Sequence, residues 1–309
     1  MSLRLKDCTV GQQISGYLAV KECTVRSTKN NPDKLFLDMQ LTDGQITVGA
    51  KVWNHSGDSP ENNTVIFIEA NVTEFRGEKQ LTVNTWRVAE SSEYNPRDFL
   101  PVSPRDTKEM WQEIQSYAAQ VKDPGLKNLL KSIFDEHANS FTMAPAAVFH
   151  HHASISGLME HVLGTIAHLP TDKSGLDTSI LISSCLLHDI GKIEEIDHYG
   201  CTFQTTDRGK LLGHITLGMM IINEHAKNCP GLSKEKLDHL LHIVASHHGR
   251  LDWGSPVEPL TAEALVVHNA DMLDMQMWKV KNAALSPQKG NWTEKIAGIN
   301  RSFCVFNSK

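Results

Sequence analysis

Apolar side chains recur at every second position through much of the first ninety residues, the period of a half-buried β-strand. Leu35, Leu37, Met39 and Leu41 share one such face, and Ile46, Val48, Ala50 and Val52 share the next. Asp43-Gly44 lies between them. Both residues tolerate positive φ, so a hairpin is predicted there. Ile14, Leu18 and Val20 mark an earlier strand, and Ile66, Ile68, Ala70 and Val72 a fourth. After a turn at Arg76-Gly77, Leu81 and Val83 begin a fifth. Five short strands in so short a stretch predict a small Greek-key barrel.

An OB-like barrel is the expected type, with an SH3-like barrel left open by the pattern alone. The period then changes. Ser91 to Asp106 holds Pro96, Pro101 and Pro104 and reads as a linker. Asp106 or Thr107 is placed to cap a helix. Met110, Ile114, Tyr117 and Val121 follow helical spacing, as do Leu126, Leu129, Leu130 and Ile133. Leu158, His161, Val162, Thr165 and Ile166 form one face of a further helix. Ile180 to Ile190 is mostly apolar, as a buried helix would be. Leu237, Leu240, Leu241 and Val244 mark another, and Pro259 with Thr261 opens a last long helix past Asp271. No β-alternation is read between Asp106 and Leu285. The tail after Ser286 is mixed, and Phe303 to Phe306 reads as a short strand or docking segment. The expected fold is thus multidomain: a five-stranded OB-like β-barrel over 1–90, a linker over 91–106, and an all-α domain over 107–309.

Composition narrows the function classes. Of 309 residues, 40% are hydrophobic and 21% charged, as in a core-forming globular chain. No run approaches a membrane span, and Met1 to Val10 lacks an apolar signal-peptide core. The six cysteines show no close pairing and read as free thiols in a reducing, cytoplasmic setting. Net charge is −6, so any nucleic-acid contact needs a local patch. Residues 1–90 carry 10 Lys and Arg against 11 Asp and Glu. Within the barrel, Phe36, Trp53, Phe75 and Trp86 beside Arg26, Lys34, Lys51, Arg76 and Lys79 are the candidates for stacking on a single strand. Trp53, Arg76 and Lys79 are the chosen contacts.

Fourteen of the sixteen histidines lie between His150 and His268. Within that stretch stand His161, His188-Asp189, His214, His247-His248 and finally Asp271, a set of metal-type ligands. His188-Asp189 closes the most apolar helix. An ionised carboxylate there costs several kcal/mol unless a cation or donor offsets it. Asp189 has two oxygens and can bridge two metals. Gly191 lets the chain turn, and Lys192 comes one turn after His188, where it would hold a phosphate oxygen. Asp271 shares a face with Ala264, His268 and Met275. Asp274 reads as a surface charge or a partner of a ligand. His168, His198, His225, His239 and His242 are assigned to helix surfaces or ends.

At these residues the chain resembles the HD-domain metal phosphohydrolases. The strings HHASISGLMEHV (151–162), LLHDIGK (186–192), GKLLGHITLG (209–218), ASHHGRLDWGSP (245–256) and HNADMLD (268–274) carry the likeness. With a preceding barrel they are similar to the YhaM-type 3'→5' exoribonucleases, over roughly residues 10–285. That resemblance implies a metal-dependent 3'→5' exonuclease on single-stranded RNA or DNA, acting through a metal-bound hydroxide. It implies two divalent ions per chain, manganese first, with Co, Fe, Ni or Mg as alternatives. His161, His188, Asp189 and Asp271 would be the shared ligands, and His214 with one or both of His247 and His248 would hold the second ion. Asp189 and Lys192 would be catalytic. His150, His151 and His152 precede the first ligand helix, and His151 and His152 are carried as substrate contacts. Ser156-Gly157 departs from the Gly-Gly common in the family. The alternative is a hydrolase of small nucleotides or cyclic dinucleotides with a regulatory barrel. Assembly into a homo-oligomer stays open.

Overall fold

The structure is a computed structural model that describes residues 3–28, 31–149, 152–285 and 291–306. It divides into two compact units: Met1–Pro101 with His198–Gln204, and Val102–Asp197 with Thr205–Lys309.

The first unit is a closed barrel of five strands: β1 (Gln13–Thr28), β2 (Asn31–Thr42), β3 (Thr47–Val52), β4 (Val65–Phe75) and β5 (Glu78–Val88). Their order is β1-β2-β3-β5-β4, closing back on β1. Only β3 and β5 run parallel. This is the Greek-key arrangement of the OB-fold, as the alternation predicts. One strand closes the barrel because β1 is long enough to serve two partners. Its first half pairs with β4 and its second half with β2. A register shift between Val20 and Glu22 marks the change. A bulge there adds the bend that closure needs. Leu18, Val20, Leu37, Met39, Leu41, Ile66, Ile68 and Leu81 all point inward and are buried. Both predicted hairpin turns are present. Asp43 Oδ1 accepts from the backbone N–H groups of Gln45 and Ile46. Arg76 and Gly77 have φ of 57° and 83°.

One element was not anticipated. A two-stranded ribbon, β6 (Ile196–Tyr199) and β7 (Thr202–Thr205), interrupts the helical sequence. Its strands are four residues each, too short to register as a period. In the first unit Cys201 is buried with Ala19, Val65 and Phe99. Its backbone N–H donates to Asn63 O at 3.1 Å.

The second unit contains α1 (Thr107–Gln120), α2 (Pro124–Met143), α3 (Gly157–Ala167), α4 (Thr178–Leu187), α5 (Lys192–Glu195), α6 (Asp207–Ala226), α7 (Lys234–Ser246) and α8 (Ala262–Leu285). Asp106, Asp123, Asp177, Thr206 and Ser233 cap the N-termini of α1, α2, α4, α6 and α7 with side-chain hydrogen bonds. Each such cap contributes about 1 kcal/mol. Every residue of α4 from Ile180 to Leu187 is buried, which explains a helix without a polar face. The stretch read as a linker is ordered at its end. Val102 bridges Ile155, and Ser103 N–H donates to Ile155 O. In the tail, Trp292 bridges Cys304 and Ile296 bridges Arg301. Among the described residues no helix is long and apolar enough to cross a membrane.

Candidate metal centre

Five elements of the helical unit deliver side chains to one buried point. His161 comes from the middle of α3, and His188-Asp189 from the C-terminal end of α4. His214 follows a kink in α6 at Gly213, whose φ of 69° and ψ of 156° break the helix. His247 and His248 follow the end of α7, and Asp271 lies on α8. All of the sequence-predicted ligands are brought together.

Asp189 divides the cluster. Its Oδ2 is 3.5 Å from His161 Nε2 and 3.7 Å from His188 Nε2. Its Oδ1 is 3.5 Å from both His214 Nε2 and His247 Nε2. On the first side His161 Nε2 also lies 3.2 Å from Asp271 Oδ1 and 3.1 Å from His188 Nε2. On the second, His214 Nε2 and His248 Nε2 are 3.2 Å apart. Two groups of ligand atoms therefore share one carboxylate.

The tautomers follow from the outer partners. His188, His247 and His248 each place Nδ1 on a backbone carbonyl, of Cys185, Val244 and Trp253, at 2.8–2.9 Å. A carbonyl only accepts, so Nδ1 carries the proton and the neutral ring's Nε2 is a bare lone pair. His214 Nδ1 lies 3.1 Å from Glu195 Oε1, and His161 Nδ1 is 2.8 Å from Asp274 Oδ2. Four of the rings thus turn Nε2 toward the Asp189 carboxylate, and His248 turns its Nε2 toward that of His214. Lone pairs 3.1–3.2 Å apart repel unless a cation or a proton stands between them. Asp189, only 4% exposed, leaves Oδ1 buried without a hydrogen bond. An orphaned buried carboxylate oxygen facing imidazole nitrogens fits a divalent ion.

The protonation of the cluster is set by burial and by its carboxylates, and it differs from ring to ring. Burial opposes a proton on His161, but Asp271 and Asp274 outweigh it and push the imidazole up to about 10. Burial holds His188 down to about 4. Burial, with His247 and His214 beside it, does the same to His248. Burial works against the Asp189 anion, yet Lys192 and His188 keep its carboxyl well below the usual range. Burial also opposes a proton on His247, but Asp189 and Asp271 outweigh it and raise that imidazole too, so the buried carboxylates stay ionised and draw positive charge toward Asp189.

Lys192 Nζ is 3.4 Å from Asp189 Oδ2 and donates to Ala146 O at 2.5 Å. It opens α5 directly after Gly191. That glycine has an ordinary helical φ of −64°, so the turn does not need it. Packing does: a Cβ there would sit 2.0 Å from His214 O. His152 is buried, with Nε2 3.2 Å from Asp274 Oδ2 and Nδ1 3.5 Å from Glu160 Oε2. His150 and His151 lie outside the described residues. Ser156, just ahead of α3, takes φ of 66°.

Some site residues escaped the sequence. Glu195 orients His214 from a four-residue helix. A cavity of about 400 Å³ opens on the centre, lined also by Trp253, Gln276, Lys279 and Arg301. Arg301 comes from the mixed tail, which offered no period to read. In the barrel, Trp53 is 49% exposed and stacks on Phe36 with ring centroids 4.9 Å apart. Arg76 lies over the exposed Phe75 ring at 5.3 Å. The Lys79 ammonium instead donates to Leu5 O and Cys8 O at 2.8 and 2.6 Å, which ties it to the barrel's own backbone.

Residues 146–276 match the family model of the HD domain, a span containing every ligand-type residue named above. The helical unit therefore carries an HD domain, which points to metal-dependent phosphohydrolase chemistry. Among solved structures, the second OB-fold domain of replication protein A from Methanococcus maripaludis aligns at 12% identity. It covers 30% of this chain and 100% of its own, with a TM-score of 0.26. An OB domain from Thermoplasma acidophilum aligns at 18% identity over 30% of this chain and 88% of its own, with a TM-score of 0.25. The OB assignment rests on the barrel's own strand order.

Proposed function

We propose that this protein is a metal-dependent phosphodiesterase that removes nucleotides from the 3' end of single-stranded RNA, with single-stranded DNA as a second substrate. One observation carries the reading: four imidazole Nε2 atoms, of His161, His188, His214 and His247, face a buried carboxylate whose two oxygens look to different ligand groups, with His248 Nε2 against His214 on the second side. His161, His188, Asp189 and Asp271 would hold one divalent ion. His214, His247, His248 and Asp189 would hold the other, with manganese the expected metal. When bound, such ions supply Lewis acidity and a water of low pKa beside a phosphate.

The protein's own groups have distinct tasks. Asp274 and Glu195 fix the rings of His161 and His214, so their nitrogens need not reorganise. Lys192 places a positive charge beside Asp189, where negative charge builds on a transferred phosphoryl group. Lys279 and Arg301 bring cationic side chains to the cavity for further phosphate oxygens. Trp253, with Arg250 5.2 Å over its ring, offers a face for the terminal base. In the barrel, the Phe36–Trp53 pair with Lys51 5.4 Å from the Phe36 ring is the stacking platform for the strand.

The test is incubation of 5'-labelled single-stranded RNA with the full chain and Mn²⁺, Co²⁺, Ni²⁺ or Mg²⁺ in turn. A ladder shortening from the 3' end is expected. An intact oligomer alongside hydrolysis of a cyclic dinucleotide would overturn the exonuclease reading in favour of a small-nucleotide hydrolase.

A further inference from the structure

The helical unit brings a second set of imidazoles together, away from the centre described above. His137 lies near the C-terminal end of α2, and His225 is the penultimate residue of α6. Their Nε2 atoms face one another at 3.4 Å, with the rings at 68°. Glu136, beside His137, puts Oε2 3.6 Å from His225 Nε2 and Oε1 3.9 Å from His137 Nε2. On the far edge of the His225 ring, Nδ1 lies 2.7 Å from Ser132 Oγ. A serine hydroxyl that accepts the Nδ1 proton leaves Nε2 as a bare lone pair.

A hydrogen bond accounts poorly for this geometry. An N–H···N contact at 3.4 Å exceeds the usual range of roughly 2.7–3.2 Å. Two nitrogens each ~2.0–2.1 Å from a tetrahedral ion lie roughly 3.3–3.4 Å apart. The same opposition of Nε2 against Nε2 occurs twice in the HD centre, at His161–His188 and His214–His248. The new cluster also has room for further ligands. It lines a cavity of about 480 Å³ that Glu194, Glu224 and Asn228 share. It is a separate place: His225 comes eleven positions after His214 along α6, roughly 16 Å at 1.5 Å per residue.

We propose that His137, His225 and Glu136 form a further transition-metal site that joins α2 to the C-terminal turn of α6. Two imidazoles and a carboxylate select borderline divalent ions such as Zn²⁺, Ni²⁺, Co²⁺ or Cu²⁺ over Mg²⁺ or Ca²⁺. The Glu136 side chain is 69% exposed, so the ion exchanges with solvent and the site loads according to supply. Its occupancy steadies the helix that carries His214. The proposal does not depend on the exonuclease reading.

The probe is Zn²⁺ alone, counted per chain by equilibrium dialysis and elemental analysis on the full-length protein. The wild type is expected to bind one more ion than His225→Ala or His137→Gln. Hydrolysis of bis-p-nitrophenyl phosphate with Mn²⁺ should stay within twofold in both, because neither residue touches the HD centre. Ser132→Ala, which removes only the partner of His225 Nδ1, should weaken this one ion by about 10–100-fold. If either histidine variant fails to fold by circular dichroism, the exposed Glu136→Gln serves in its place. It should weaken the same ion at least tenfold. Folded variants that all retain the wild-type Zn²⁺ count and affinity would overturn the site.

Discussion

Replacing Asp189 with asparagine separates the shape of the centre from its charge. The amide fills the same volume, so packing loss is small. What disappears is an anion whose oxygens face His161 and His188 on one side and His214 and His247 on the other. Lys192, 3.4 Å away, loses its carboxylate partner. Removing one member of a buried pair costs about 3–5 kcal/mol. Lys192 keeps Ala146 O at 2.5 Å, which argues for the lower end. At roughly 2–4 °C per kcal/mol for a unit of this size, the metal-free variant should melt ~6–12 °C lower. It therefore stays folded at 25 °C, and the chemistry can be tested. If two ions share Asp189 as proposed, both would lose a ligand, and metal content should fall to at most one per chain. Turnover of bis-p-nitrophenyl phosphate should drop by at least ~10³-fold, which is about 4 kcal/mol at 1.36 kcal/mol per tenfold. Circular dichroism, elemental analysis and initial rates on one preparation provide the three readings. A folded Asp189→Asn protein with full metal content and a rate within tenfold of wild type would refute the bridging role.

Three other outcomes follow from the same geometry. His214→Ala should leave one ion bound and reduce turnover strongly; a single ion per chain in the active wild type would instead make His214 a bystander. Asp274→Ala removes the acceptor of His161 Nδ1 and should weaken metal binding by about 10–100-fold without touching any ligand, as titration against a chromophoric chelator would show. Trp53→Ala should raise KM for long single strands about tenfold, given about 1–3 kcal/mol per stacked base, and leave the small chromogenic substrate unaffected; equal loss on both substrates would remove the barrel from strand binding.

The barrel was legible because half-buried strands must alternate. Leu37, Met39 and Leu41 of β2 and Ile66, Ile68 and Ala70 of β4 are buried as their period requires. Strand order was less accessible. The parallel β3–β5 pair is a long-range choice with no local signature. The β6–β7 ribbon was missed for a related reason. Ile196 is buried at the head of β6, but the next three residues are exposed, so no alternation accumulates. What holds the ribbon's turn is Cys201, whose partners Ala19, Val65 and Phe99 lie more than a hundred positions earlier. No window along the chain contains that information.

The convergence of the candidate ligands was foreshadowed for a different reason: ligand types are chemically scarce. An adjacent His-Asp at the end of a helix as apolar as α4 has few inexpensive explanations. Orientation was not legible, and orientation is what would let these residues act as ligands. His188, His247 and His248, just past the ends of α4 and α7, take their tautomer from carbonyls three to five positions away. Those bonds exist only because α4 and α7 stop where they do. His161 and His214 take theirs from Asp274 and Glu195, which tertiary packing supplies. Gly164 on α3 shows how close that packing is, since a Cβ there would meet Asp274 Oδ1 at 1.9 Å. The same logic explains why His225 read as an ordinary surface residue. Its partners, Ser132, Glu136 and His137, sit on another helix about ninety positions away. A histidine is placed to be a ligand when its outer nitrogen is spoken for and its inner one faces another donor. That condition is set by helix ends and helix contacts, and it is met at two places in this unit.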